Sequence, residues 1–182
     1  RDAGVGLHLD GARLWNAHVA TGVALADYGR LFDTVNVCFS KGLGAPVGSM
    51  LVSSAANIAK ARAQRKRLGG GWRQAGVLAA AAEYALDKHL PRLAEDHVAA
   101  RAFAAAVAES APDAVDVAAV QTNIVVLDAG ARAAAEVIPA VLARGVGLSA
   151  VGSRTLRAVT HQEISVDAAR AAGQIAGEVL AG

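Results

Sequence analysis

The sequence predicts an α/β protein. Short apolar runs of strand type alternate with longer helix-type stretches along most of the chain. The composition is rich in Ala, Val and Gly, with 4% aromatic and 19% charged residues. Two chemistry-bearing side chains, Asp10 and Lys41, each stand just past the carboxyl end of a predicted strand, with a helical crossover between the two strands. In parallel α/β sheets that is the end where ligands gather.

The chain has 182 residues, enough for one core or for part of a larger domain plus a smaller one. A net charge of +2 gives no overall pull toward nucleic acid or a membrane surface. Cys38 is the single cysteine, which excludes an intrachain disulfide and a cysteine zinc cluster. A reducing, cytoplasmic setting fits. No apolar run approaches the roughly 20 residues that span a bilayer, and no signal peptide is evident.

Residues 1–4 read as a helix end running straight into a strand over 5–9, where Val5, Leu7 and Leu9 alternate at period two. Asp10-Gly11 ends that strand. Residues 12–31 are helix-like with a break at Gly22, and 34–39 form a second apolar strand. A third strand covers 48–53. Residues 57–68 form a helix with Lys60, Arg62, Arg65, Lys66 and Arg67 on one side, stopped by Gly69-Gly70-Gly71. Helices follow over 72–86 and 92–109, the second after Pro91, and this long helical stretch joins two sub-domains. Strands are expected over 115–120, 123–127 and 156–160. Helices are expected over 131–143, ended by Arg144-Gly145, and over 166–180.

Lys41 enters a glycine- and proline-punctuated loop directly after the strand Thr34-Val35-Asn36-Val37-Cys38-Phe39. A lysine held still and partly desolvated there can act as a nucleophile toward a carbonyl, because desolvation disfavours the ammonium. Taken alone, the loop reads more readily as a plain turn between two strands, its glycines serving only the backbone. A carboxylate at Asp10 near such a lysine suits pyridoxal phosphate: the carboxylate keeps the pyridine nitrogen protonated while the lysine holds the aldehyde. Taken alone, Asp10 reads more readily as a turn residue or helix N-cap. Arg13 falls within one helical turn of Asp10, as a donor to a phenolate-type oxygen or as an ordinary surface arginine. His8 shares a strand face with Asp10 if the strand is regular.

His8-Leu9-Asp10-Gly11-Ala12-Arg13-Leu14-Trp15-Asn16-Ala17 resembles the H-x-D-G-A-R-x-x-N-A segment of L-threonine aldolases. Ser40-Lys41-Gly42-Leu43-Gly44-Ala45-Pro46-Val47-Gly48-Ser49 resembles their lysine segment. Arg65-Lys66-Arg67-Leu68-Gly69-Gly70-Gly71-Trp72-Arg73-Gln74-Ala75-Gly76 is similar to a third block, with Trp72 where the family has Met, a packing change. Gln121-Thr122-Asn123-Ile124-Val125 and Leu156-Arg157-Ala158-Val159-Thr160-His161 match two further blocks. All five occur in family order over almost the whole chain.

The resemblance implies the aspartate aminotransferase-like fold (fold type I), with residues 1–90 as the carboxyl-terminal part of the pyridoxal-phosphate-binding large domain and 91–182 as the small domain. It implies aldol cleavage of L-threonine, L-allo-threonine and related β-hydroxy-α-amino acids to glycine and an aldehyde. Residue by residue, it makes Lys41 the Schiff-base lysine, Asp10 the partner of the pyridine nitrogen, Arg13 the donor to the ring hydroxyl oxygen, and Arg157 the clamp for the substrate carboxylate. Lys66 and Arg73 resemble residues that reach a neighbouring subunit's site, Arg73 near the phosphate, so a homodimer or homotetramer is implied. The family's phosphate loop and its ring-stacking histidine lie upstream of these blocks. Other fold type I reactions (transamination, racemisation, β-elimination) share the same scaffold, and an inactive fragment serving as an interaction module is the remaining alternative.

The basic helix reads as a solvated face rather than a nucleic-acid patch, since no aromatic platform accompanies it. Gly69-Gly70-Gly71 lacks a P-loop lysine pattern. His18, His89 and His97 show no metal-ligand spacing and read as surface or half-buried polar residues. His161 reads as a structural hydrogen-bonder and Cys38 as a buried strand residue.

Overall fold

The computed structural model describes residues 3–182. They fall into two compact units, divided between Pro91 and Arg92. The helix end expected over residues 1–4 rests partly on Arg1 and Asp2, which lie outside the described residues.

The first unit runs β1 (His8–Gly11), α1 (Leu14–Thr21), α2 (Leu25–Leu31), β2 (Thr34–Cys38), β3 (Ser49–Ser53), α3 (Ala55–Arg67) and α4 (Gly76–His89). Its sheet has the order β1-β2-β3. β1 and β2 are parallel, and β3 is antiparallel to β2. Val35 and Val37 of β2 are buried while their neighbours Asn36 and Cys38 are half-buried, as period-two patterning dictates. Gly22 ends α1 in the left-handed region at φ 71°, its N–H bonded to the His18 carbonyl, which is the physical content of the expected break. Gly69, at φ 85°, closes α3: the Gly70 N–H meets the Arg65 carbonyl at 2.8 Å and the Gly69 N–H meets that of Lys66 at 3.2 Å. That is a Schellman ending.

The first strand differs from expectation. Residues 5–7 are not part of the ladder; Leu7 meets only the start of β2, its N–H donating to the Asp33 carboxylate at 2.8 Å and its carbonyl accepting the N–H groups of Asp33 at 2.9 Å and Thr34 at 3.3 Å. Pairing starts at His8 and includes Asp10, so Asp10 lies within β1 rather than past its end. Helix α4 begins at Gly76 rather than at residue 72.

The second unit runs α5 (Leu93–Ser110), β4 (Ile124–Asp128), α6 (Ala134–Leu142), β5 (Ser149–Ala150), β6 (Thr155–Val159) and α7 (Val166–Ala181). Its sheet is antiparallel, in the order β4-β6-β5. Val125, Leu127, Leu156 and Ala158 face a core that includes Phe103, Ala104 and Val107 of α5. The strand expected over 115–120 is absent. Two 3-10 turns, Pro112–Ala114 and Val117–Ala119, take its place. The Asp116 carboxylate accepts from the N–H groups of Ala118 and Ala119, and this local cap overrides the β preference of the valines. The two-residue β5 had no sequence signal of its own. Among the described residues no helix is long and apolar enough to cross a membrane.

Gly173 and Gly177 lie on one face of α7, which packs closely on α5. A Cβ at Gly173 would stand 2.3 Å from the Phe103 carbonyl oxygen, and one at Gly177 would stand 2.9 Å from that of Val107. Backbone lies in the way, so no side chain can yield. Gly173→Ala is expected to destabilise the unit by at least about 1–3 kcal/mol. Gly29→Ala, in α2 where nothing lies within 4 Å of the added carbon, is expected to be neutral or stabilising. Urea midpoints by circular dichroism and amide exchange in α5 and α7 check both.

Asp96, Asn123 and Thr160 are buried polar side chains of this unit. The Thr160 hydroxyl donates to the Asp96 carbonyl at 2.7 Å, and Asn123 Nδ2 donates to the Thr160 carbonyl at 2.8 Å. Among the described residues Asp96 Oδ2 has no hydrogen-bond partner. Burial pushes the Asp96 carboxyl up to about 6, against the opposing pull of His161. Between the ordinary value of 3.8 and about 6 the folded chain holds this proton and the unfolded chain does not. This group's contribution is therefore fully present below that window and lost as pH rises through it. Asp96→Asn removes the dependence. The stability of the variant relative to the parent is expected to rise across the window, as urea midpoints measured from acid to neutral pH will show.

Candidate active site

The lysine loop follows from β2 and is braced at several points. The Gly48 carbonyl accepts the Phe39 N–H at 3.0 Å and the Ser40 hydroxyl at 3.3 Å. Inside the loop, the Ala45 N–H bonds the Phe39 carbonyl at 3.1 Å and the Gly44 N–H bonds the Lys41 carbonyl at 2.8 Å. Gly44 and Gly48 take φ values of 69° and 109°, which L side chains rarely adopt. Leu43 is 1% exposed and anchors the loop in the core. His89, the last residue of α4, donates from Nδ1 to the Leu43 carbonyl at 2.6 Å. Trp15 donates from Nε1 to the Cys38 carbonyl at 2.8 Å and stacks on Phe39.

Lys41 projects from this frame and is exposed, so the burial expected around a nucleophilic lysine is not supplied within the unit. Cys38, expected to be buried, is half-buried.

Asp10 and its neighbours belong to the adjacent strand. Asp10 is paired with Asn36 of β2 in the parallel register, and Asn36 Nδ2 donates to Asp10 Oδ1 at 3.5 Å. Asp10 does not cap α1: the cap residue is Arg13, with no side-chain cap bond. The N-cap alternative is thereby removed. His8 and Asp10 are both exposed, flanking the less exposed Leu9, and His8 Nδ1 lies 2.7 Å from the Thr34 hydroxyl. Gly11 is required where β1 turns toward α1, because a Cβ there would stand 2.9 Å from the Asn36 carbonyl oxygen. Arg13 is half-buried at the start of α1. The parallel pair β1–β2 thus carries Asp10 on one strand and Lys41 on the loop leaving the carboxyl end of the other.

Lys66 and Arg73 are exposed, on the last turn of α3 and in the segment beyond it. The Lys66 methylenes lie over Gly71, where an added Cβ would come within 3.4 Å of Cδ.

Arg157 belongs to the second unit. It sits in β6 between buried Leu156 and Ala158, so its half-buried side chain is on the face away from the core. Its cross-strand neighbours are Val126 and Ser149. Among the described residues neither Lys41 nor Arg157 takes part in an ion pair. His97 is buried at 4% exposure, and that burial, with Arg101 nearby, holds its imidazolium below the ordinary range. No cluster of His, Cys, Asp or Glu suited to a metal occurs among the described residues.

Sequence reasoning missed Asn36, Trp15 and Ser149 as neighbours of the candidate residues. It also read His89 only as a half-buried polar residue. The Asn36 pairing follows from a parallel register, and the His89 bond spans 46 positions. Only Asn36 left a trace, as a polar residue inside an apolar strand.

Residues 1–130 match the beta-eliminating lyase family, and the chain belongs to it. It is 46% identical over 165 residues to low-specificity L-threonine aldolase 1 of Arabidopsis thaliana, covering 89% of this chain and 46% of that protein. It is 41% identical over 165 residues to the low specificity L-threonine aldolase of Escherichia coli K12, covering 91% of this chain and 48% of the other. The chain therefore spans about half the length of the curated relatives it matches. A threonine aldolase structure from Leishmania major superposes with a TM-score of 0.68 at 18% identity, covering 98% of this chain and 53% of that one. An ornithine δ-aminotransferase structure from Plasmodium falciparum gives 0.62 at 12% identity, covering 97% and 46%. The fold is that of fold type I pyridoxal-phosphate aldolases and aminotransferases, as the sequence resemblance implied.

Proposed function

We propose that the protein to which this chain belongs is a pyridoxal-phosphate-dependent low-specificity L-threonine aldolase, releasing glycine and an aldehyde from β-hydroxy-α-amino acids. The observation that carries this reading is the placement of Asp10 in β1 and of Lys41 on the loop leaving the carboxyl end of its parallel neighbour β2, with the carboxylate not spent on a helix cap. The donor set fits the cofactor: a carboxylate for the ring nitrogen, an amine for the aldehyde and, in Arg13, a guanidinium for the ring hydroxyl.

Bound pyridoxal phosphate supplies an aldehyde for amines and a conjugated ring that accepts electrons from the Cα–Cβ bond. Lys41 is the attachment amine, and its short braced loop limits the positions its Nζ can take. Asp10 accepts a hydrogen bond from the protonated ring nitrogen and keeps that proton in place; Asn36 orients the carboxylate. Arg13 donates to the ring hydroxyl oxygen. Arg157 grips the substrate carboxylate, for which a planar fork suits better than an ammonium. Residues 1–90 form part of the cofactor-binding large domain and 91–182 the small domain. Lys66 and Arg73, exposed here, serve a neighbouring subunit's site in a homodimer or homotetramer, with Arg73 at the phosphate. The setting is cytoplasmic.

Lys41→Ala in the intact protein is expected to abolish both aldehyde release and cofactor incorporation after borohydride reduction, read by peptide mass spectrometry. Survival of both would overturn the assignment. Arg157→Lys is expected to raise the threonine KM about 10-fold or more, since one arm of a charge-assisted fork is lost. Unchanged kinetics would remove the clamp role. Threonine assayed for acetaldehyde against keto acid separates the aldolase from a transaminase.

A further inference from the structure

We propose that Ser149 is a positioning residue that sets the orientation of the Arg157 guanidinium and thereby the affinity for a substrate carboxylate; this rests on the reading of Arg157 as the carboxylate clamp. Ser149 and Arg157 are direct partners across the antiparallel pair β5–β6, so their side chains share one face of the sheet. Arg157 Nε donates to Ser149 Oγ at 3.3 Å. Ser149 Oγ in turn lies 3.4 Å from the Arg157 carbonyl and donates to it. The hydroxyl proton is thus directed to the backbone and a lone pair to the guanidinium. On the other side Arg157 faces Val126, which is 54% exposed and offers no side-chain hydrogen bond.

A guanidinium can receive a carboxylate in two bidentate ways: side-on through Nε and one terminal nitrogen, or end-on through Nη1 and Nη2. With Nε–H engaged by Ser149, the side-on mode is closed and the end-on fork remains. The same bond removes rotation about the end of a long side chain, a freedom that carboxylate binding would otherwise have to quench. Ser149 is itself placed by the hairpin that follows. The Val151 N–H bonds the Thr155 carbonyl at 2.9 Å, and Gly152 fits beside Thr155 where an added Cβ would come within 3.2 Å of its hydroxyl.

The test uses Ser149→Ala and Ser149→Thr in the intact protein, with two readouts. The first is solvent exchange of the Arg157 Nε–H, followed by nitrogen-15 NMR and assigned by its loss in Arg157→Lys. The second is the split between KM and kcat for threonine. Ser149→Ala is expected to speed Nε–H exchange and to raise KM roughly 3- to 10-fold with a much smaller change in kcat, the range for losing one hydrogen bond. Ser149→Thr, which keeps the hydroxyl on a strand-favouring residue, is expected to restore both. Unchanged exchange and KM in Ser149→Ala would overturn the proposal. Equal losses in the alanine and threonine variants would overturn it too, since they would show a packing role. Amide exchange in β4 and β6 verifies that the variants keep the sheet. If Arg157→Lys leaves KM unchanged, the clamp reading fails, while the Nε–H exchange still decides whether Ser149 holds Arg157.

Discussion

The parallel pairing of β1 with β2 is the constraint on which the rest of the candidate site depends. Parallel neighbours present the same end to the same side. A carboxylate on one strand and an amine on the loop leaving the other therefore come to one end of the sheet without any direct bond between them. The pairing is held by ordinary forces. Val35 and Val37 are buried, Gly11 permits the close approach of β1 to the Asn36 carbonyl, and the Asn36 side chain bonds Asp10. A one-residue slip in this register would exchange the faces of β1 and carry Asp10 and His8 together to the opposite side of the sheet.

Rigidity of the lysine loop comes from backbone bonds closed on themselves and from two side chains borrowed from elsewhere in the unit. Gly48 and Phe39 tie the ends together, Leu43 drives the middle into the core, and His89 and Trp15 fasten the loop to α4 and α1. The amine itself stays exposed. The loop thus has a braced base and an accessible tip.

The second unit solves a different problem. Two glycines let α7 approach the α5 backbone closely, and the sheet covers the resulting core with one apolar face. Its other face carries Arg157. A buried polar knot of Asp96, Asn123 and Thr160 ties the end of β6 to the start of α5. The close packing and the knot hold the strand from which Arg157 projects.

By itself the sequence determined the α/β class, most element positions, the glycine endings at Gly22, Gly69 and Gly145, and the identity of the residues proposed to carry chemistry. These are legible because they are local: periodicity, caps and motif spacing act over a few residues. Only the tertiary structure decided that Asp10 lies inside a paired strand, that Asp116 converts an apolar run into 3-10 turns, that Asp96 and His97 are buried, and that Ser149 stands beside Arg157. Except for the Asp116 cap and the Ser149–Arg157 contact, which crosses a short hairpin, these depend on strand register and packing between segments far apart in the chain. The Asp10–Asn36, Leu43–His89 and Asp96–Thr160 bonds span 26, 46 and 64 positions. No local propensity encodes such a pairing. It follows from which faces can be buried together once the elements have formed.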